Sequence, residues 1–465
     1  MKKAIPLFAL ALMIVACNNS KEKENPNQTE EQMNEIENPL LSESTLPYGA
    51  PDFSKIKDEH FKPAMLEGIE QQKKAVEAIA NSEDEPTFEN TVIALEKSGE
   101  LLNRSSQIFY ALAGANTNEA LQAIEEEMAP KFAAQNDMIY LNDKLFKHFK
   151  TLHDKKETLN LDAESLKLLE EYYEDFEIAG ANLSSEDKEK LKQYNEKIAT
   201  LTTKFGKTLL DANNDGAVNF TNKEDLAGVN EDFLKSKENK DGEGWTIPLQ
   251  NTTQQPLLQS MENRDSRERL FKAAWHRADQ GANNTSEIIK ELVEVRAQKA
   301  KLLGFNNYAE WSLQKTMAKT PEKVNEFFSG LIAAATSKAQ AEAGEIQKMI
   351  KAKGQNFTLE PWDWNYYAEM VRKEKYDLDE NQIKPYFEIN NVLEKGVFYA
   401  AQKLYGITYK PRTDIPTYHE DVKVYELFEE NGEPLGLFYT DYFSRPSKSG
   451  GAWMDNFVTQ SKLYN

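Results

Sequence analysis

The chain has 465 residues, with 56 Lys and Arg against 77 Asp and Glu, a net charge of −21 and a sequence pI of about 4.9. That balance excludes a basic nucleic-acid binder, whose affinity rests on clustered cations against phosphate, so no nucleic-acid partner is expected. Apolar residues at 40% and aromatics at 10% supply a sizeable core and exclude a disordered chain, and with a single Cys no intrachain disulfide can form.

Lys2 and Lys3 make a short basic start, and Ala4 to Ala16 is an apolar run. A membrane-spanning helix needs about 20 residues, so residues 1–17 read as a secretory signal. The run ends Ile14-Val15-Ala16-Cys17, which resembles the bacterial lipoprotein signal, in which the Cys becomes the lipidated first residue. The alternative is an ordinary signal with a chance Cys. Residues 18–40, rich in Lys, Glu, Asn and Gln, cannot bury enough to fold and read as a flexible polar tether. At ~3.5 Å per residue the tether reaches at most roughly 75 Å. The expected location is the bacterial cell envelope: a body facing the periplasm or the exterior, held to the membrane by lipid at Cys17.

From there the pattern is helical. Phe61, Met65, Ile69, Val76 and Ile79 recur mostly at helical spacing. Thr87 is placed to cap a helix whose Val92, Leu95, Leu102 and Phe109 face inward. Ser184-Ser185-Glu186-Asp187 resembles a capping box. Leu191, Tyr194, Ile198, Leu201 and Phe205 then form a narrow seam, short enough to favour antiparallel packing within the chain over a dimeric coiled coil. Thr320-Pro321-Glu322 puts a cap and a first-turn proline before Val324, Phe327, Phe328, Leu331 and Ile332.

The helical pattern breaks late. Val422–Phe428 and Leu435–Phe443 are rich in β-branched and aromatic residues, and Asn431-Gly432 between them signals a hairpin turn. Val218–Phe220 is a candidate strand. The weak composition break at Asp211–Gly216 divides residues 41–216, an N-terminal helical lobe, from residues 217–465.

Several sites imitate chemistry. Asp211-Ala212-Asn213-Asn214-Asp215-Gly216 copies the start of an EF-hand loop, but position 12 is Asn222, not Glu, and a polar helix-to-strand turn is the preferred reading. His148 and His153 are five apart and do not share a helix face. His60, His276 and His419 are isolated and read as structural. Trp362, Trp364, Tyr366 and Tyr367 form an aromatic cluster, read as core in preference to a ligand platform. No G-x-x-x-x-G-K-[ST], G-x-G-x-x-G or G-x-S-x-G occurs.

Longer segments carry a resemblance. Pro86-Thr87-Phe88-Glu89-Asn90-Thr91 precedes Ala94-Leu95-Glu96-Lys97-Ser98-Gly99, and Arg296-Ala297-Gln298-Lys299-Ala300 leads to Leu302-Leu303-Gly304-Phe305. Pro361-Trp362-Asp363-Trp364 continues to Tyr376-Asp377-Leu378-Asp379-Glu380 and Lys384-Pro385-Tyr386-Phe387. Asp414-Ile415-Pro416 precedes Tyr418-His419, and Ser447-Lys448-Ser449-Gly450-Gly451-Ala452-Trp453-Met454 closes the series. From about Asn38 to the last residue the chain resembles the thimet-oligopeptidase family of zinc metallopeptidases, and within it the bacterial peptidyl-dipeptidases. The resemblance implies a mainly α, elongated long-helix fold. It has an N-terminal lobe, the first part of a catalytic domain and a small hairpin or sheet near residues 422–453. It implies a channel for short peptides, zinc held by a His-Glu-x-x-His helix and a further Glu, and removal of dipeptides from free carboxyl ends.

One departure is decisive for the site. The 465 residues contain no His-Glu-x-x-His; in the family the motif follows the Gly-Gly-Ala-Trp segment, and this sequence stops soon after it. No catalytic or metal residue can be carried over, no zinc is expected for this chain alone, and the expectation is a sequence truncated before the zinc motif and inactive by itself. Gly450, Gly451 and Ala452 stand where the family has an edge strand that pairs with the peptide backbone; a glycine loop is the equal alternative. Two further readings stay open: a non-catalytic peptide-binding lipoprotein and a helical interaction scaffold. A separate polypeptide carrying the missing catalytic half is a possible partner.

Overall fold

The computed structural model describes residues 38–377 and 380–463. The signal, Cys17 and all but the last residues of the expected tether lie outside them.

Apolar periodicity becomes helix where a cap starts it. Helix α1 (Asp58–Ala80) buries Phe61, Met65, Val76 and Ile79. Thr87 begins the next segment as a reciprocal cap: its hydroxyl accepts from the Asn90 N–H at 3.1 Å, and the Asn90 side chain accepts from the Thr87 N–H at 2.7 Å. The first turn there, Phe88–Ile93, is π-type before α geometry resumes at Ala94–Ser98. Helix α2 (Glu100–Ala115) packs on α1, and Gly68 permits the approach, because a Cβ there would sit 2.8 Å from the Leu102 backbone. Helices α3 (Glu119–Tyr140), α4 (Asp143–Asp154) and α5 (Ala163–Ala179) complete two cores, one around Phe61, Phe109 and Met128, the other around Phe149, Leu169 and Phe176.

Helix α6 (Ser185–Asp215) starts on Ser184, whose hydroxyl accepts from the Asp187 N–H at 3.2 Å. Its seam packs inside the chain against α9 (Ser286–Leu302): Tyr194, Ile198, Leu201 and Phe205 meet Ile288, Leu292 and Val295. The pairings Asn283–Asp215, Lys197–Glu291 and Lys299–Asn195 run in opposite chain directions, so the two helices are antiparallel. Between them lie strands β1 (Val218–Phe220) and β2 (Trp245–Ile247), paired antiparallel, and helices α7 (Asn251–Ser260) and α8 (Arg264–Trp275).

Helix α10 (Tyr308–Ser312) is one turn. Helix α11 (Pro321–Ala352) begins on the expected cap, with the Thr320 hydroxyl accepting from Lys323 at 3.3 Å. Only its last turns, at Ile346, Met349 and Ile350, are buried, against α12 (Pro361–Tyr376). Short helical turns follow to Tyr405.

A three-stranded antiparallel sheet ends the fold, in the order β3 (Thr408–Pro411), β4 (Lys423–Phe428), β5 (Pro434–Thr440). The Asn431-Gly432 turn forms as expected, with Gly432 at φ +83°, where a side chain would be strained. Two expectations need correction. The sheet gains β3, whose sequence Tyr-Lys-Pro gives little alternation, and it ends at Thr440 rather than Phe443. Asp441 is the first residue past the ladder, and its carboxylate is taken by side chains, described below. The fold is mainly α, and among the described residues no helix is long and apolar enough to cross a membrane.

Candidate functional site

The segment after β5 is held by charge and by a helix end. Asp441 accepts from the Tyr418 hydroxyl at 2.8 Å, from Arg445 at 3.0 and 2.5 Å, and pairs with Lys448 at 3.0 Å. Burial alone would push its carboxyl up; the Arg445, Lys448 and Tyr418 donors outweigh this and hold it below the usual carboxylate range. Burial first, and then the hydrogen bond to Asp441, drives the Tyr418 phenol well above its ordinary value.

Arg445 also donates from Nε to the Ala115 carbonyl at 3.0 Å, and the Ser449 N–H donates to the Gly114 carbonyl at 2.9 Å. Both carbonyls belong to the last turn of α2, which has no intrahelical donors left. Thr117 N–H in turn donates to the Ser447 carbonyl at 2.9 Å, and Asn214 Nδ2 to the Pro446 carbonyl at 3.2 Å. Residues 445–449 are therefore pinned to the C-terminus of α2 and the end of α6. Nothing local in the sequence signals this, because the partners lie more than 200 positions away.

Gly450, Gly451 and Ala452 emerge from that anchor exposed, and they are not a strand. Gly451 has φ +102°, in the left-handed region, which breaks an extended run. The backbone just before it is already spent on α2. In this structure residues 450–452 form a loop, the reading weighed equally with an edge strand. Among the described residues no hydrogen bond uses the backbone of residues 450–452.

The imitations of chemistry resolve structurally. Residues 211–215 are the last turn of α6, so their oxygens point around a helix and cannot converge on calcium; Asp215 instead accepts from Asn283 at 3.0 Å. The aromatic cluster on α12 is a packed joint. The buried Asp363 carboxylate accepts from both Arg264 and Arg267, and their guanidinium groups stack on Phe357 at 4.1 Å and Tyr366 at 4.2 Å. Those arginines, on α8, are what the sequence reading missed.

Among the described residues none gathers the donors that zinc takes. His60 accepts from the Lys57 N–H at 3.1 Å as part of a helix cap, and His153 stacks on Tyr173 at 3.9 Å. His276 meets Asp279 at 2.7 Å, and His419 accepts from the Asp421 N–H at 3.2 Å. Burial lowers the His148 pKa. Among the described residues no group of three or more His, Cys, Asp or Glu could hold a metal ion. Cys17 lies outside the described residues.

Comparison with known proteins gives the class. Residues 257–465 match peptidase family M3. Dipeptidyl carboxypeptidase of Escherichia coli is 47% identical over 436 residues, covering 92% of this chain and 63% of that protein. The Salmonella typhimurium dipeptidyl carboxypeptidase is 46% identical over 432 residues, covering 92% and 64%. Oligopeptidase A of Escherichia coli is 30% identical over 434 residues, covering 91% and 63%. The chain belongs to the thimet-oligopeptidase family of peptidases, and it spans less than two thirds of the length of these relatives.

Proposed function

We propose that the chain carries the peptide-channel side of a zinc peptidyl-dipeptidase, which removes dipeptides from the free carboxyl ends of short peptides. We propose equally that these 465 residues by themselves neither hold zinc nor hydrolyse peptides. The observation that carries the reading is the 47% identity to dipeptidyl carboxypeptidase across 436 residues. In this reading the exposed backbone of Gly450–Ala452 meets the peptide, since its N–H and C=O groups are unspent and its side chains are absent or small.

The limit on chemistry is a matter of donors. A catalytic zinc takes about three convergent protein ligands and keeps one position open. Five His occur, no two of them four residues apart. The test is metal analysis after dialysis, together with an assay for dipeptides released from a short peptide. Sub-stoichiometric zinc and no release are expected. One tightly held zinc per chain, or release that a chelator stops, would overturn the reading.

The same proposal places the body in the cell envelope, anchored by lipid at Cys17. Cys17→Ser should move the protein from the detergent phase to the aqueous phase. A variant that partitions like its parent would contradict the anchor.

A further inference from the structure

Between α3, the start of α4 and α6 lies a cavity of about 440 Å³, lined by Ala134, Asp137, Met138, Leu141, Asn142, Lys192 and Glu196. That volume falls within the ~300–1,000 Å³ of small-molecule clefts. It is remote in sequence from the Gly450 segment and independent of the peptidase reading.

The wall carries a nearly buried carboxylate. Asp137 is only 5% exposed. Its Oδ1 accepts from Asn195 Nδ2 at 2.6 Å, and Asn195 Oδ1 accepts from Lys299 Nζ at 2.7 Å. Lys299 thus stands one amide away, held over the Trp311 ring at 4.3 Å, and does not touch the carboxylate. Among the described residues no hydrogen bond reaches Asp137 Oδ2. Burial raises the Asp137 pKa, against the Asn195 hydrogen bond and the Lys299 and Lys192 charges, which lower it. An ammonium group entering the cavity would supply the missing charge-assisted donors.

The other walls define the rest of the ligand. Lys192 lies at the rim, paired with Glu189 at 2.6 Å but half in solvent. Asn142 spends Oδ1 on capping α4, accepting from the Lys144 and Leu145 N–H groups, and its Nδ2 makes no hydrogen bond among the described residues. A cation and an amide donor suit a carboxylate. Ala134, Met138 and Leu141 offer a short apolar wall.

We propose that this cavity binds a small zwitterion, an apolar α-amino acid or a dipeptide. Its ammonium sits on Asp137, its carboxylate toward Lys192 and Asn142, and its side chain against Met138 and Leu141. The experiment is isothermal titration of the 465-residue chain with L-leucine and with Ala-Leu, each beside its N-acetylated form. Saturable one-to-one binding of at least one zwitterion is expected, weakened tenfold or more by N-acetylation and by Asp137→Asn. The Asn variant keeps an acceptor for Asn195, and its fold is checked by circular dichroism. Ala134→Phe, at an exposed position on the wall, should block binding by volume and leave the core intact. Binding by leucine alone assigns the site to amino acids, and binding by Ala-Leu assigns it to dipeptides. No saturable heat with either, equal binding of the acetylated forms, or unchanged binding in both variants would overturn the proposal.

Discussion

Residues 58–302 and residues 321–405 carry the same kind of apolar stripe and treat it differently. In the first region Phe61, Phe109, Phe149 and Phe176 are all fully buried, because α1 to α5 pack on one another around them. In the second, α11 is capped and long, yet Phe327 is 65% exposed and Leu331 50%, and Tyr386, Phe387, Leu404 and Tyr405 are exposed as well. A periodic stripe reports that a helix has an apolar face; it does not report whether the chain provides something to cover it.

The sharpest way to break that contrast is a matched pair of truncations. Phe109→Ala removes a ring that meets Phe61 at 5.5 Å edge-on in a closed core, and should cost ~3–5 kcal/mol in urea unfolding. Phe328→Ala, on the open stripe, should stay within ~0.5 kcal/mol. Similar losses for the two would show that α11 is covered.

Next in size is a test on the seam between α6 and α9. Burial first, then the nearby Arg296 charge, lowers the Lys299 pKa to about 8, with Asp137 opposing. The unfolded pKa is near 10.4. Below pH 8 Lys299 is charged in both states, so folding carries the full desolvation cost. As pH rises from 8 toward 10.4 the unfolded state binds more protons, and that cost is relieved. The stability of Lys299→Met relative to the parent should therefore fall by ~2 kcal/mol between pH 7 and pH 9.5. A constant difference would mean that Lys299 is solvated like a surface lysine.

The smallest effect compares two caps. Asn142 accepts from the Lys144 and Leu145 N–H groups at the start of the packed α4, and Thr320 accepts from Lys323 at the start of α11. Asn142→Ala should lower global stability by ~1 kcal/mol. Thr320→Ala should fray α11 locally, seen as lost ellipticity, with the unfolding midpoint unchanged.

Much of this fold was legible. Caps at Thr87, Ser184 and Thr320, the seam on α6 and the Asn431-Gly432 turn are local physics, and local physics is written in consecutive residues. The strand β3 was not legible, since Thr408–Pro411 becomes a strand only beside Tyr425–Phe428. The candidate site was least legible of all. Its anchor depends on Arg445 and Ser449 finding carbonyls of Gly114 and Ala115, and on Asp441 collecting three donors. The family resemblance pointed to Gly450–Ala452 and left strand and loop equally open, and Gly451 at φ +102° is in the loop form.

The contrast between the two regions is tested most directly by native-state hydrogen exchange of the 465-residue chain, read by mass spectrometry. Amides in α2 and the first half of α6 should exchange only through global unfolding, and those of residues 321–345 through low-energy local opening, orders of magnitude faster. Equal protection along α11 and α2 would contradict the account, because it would require a covering layer over a face that is open in this structure.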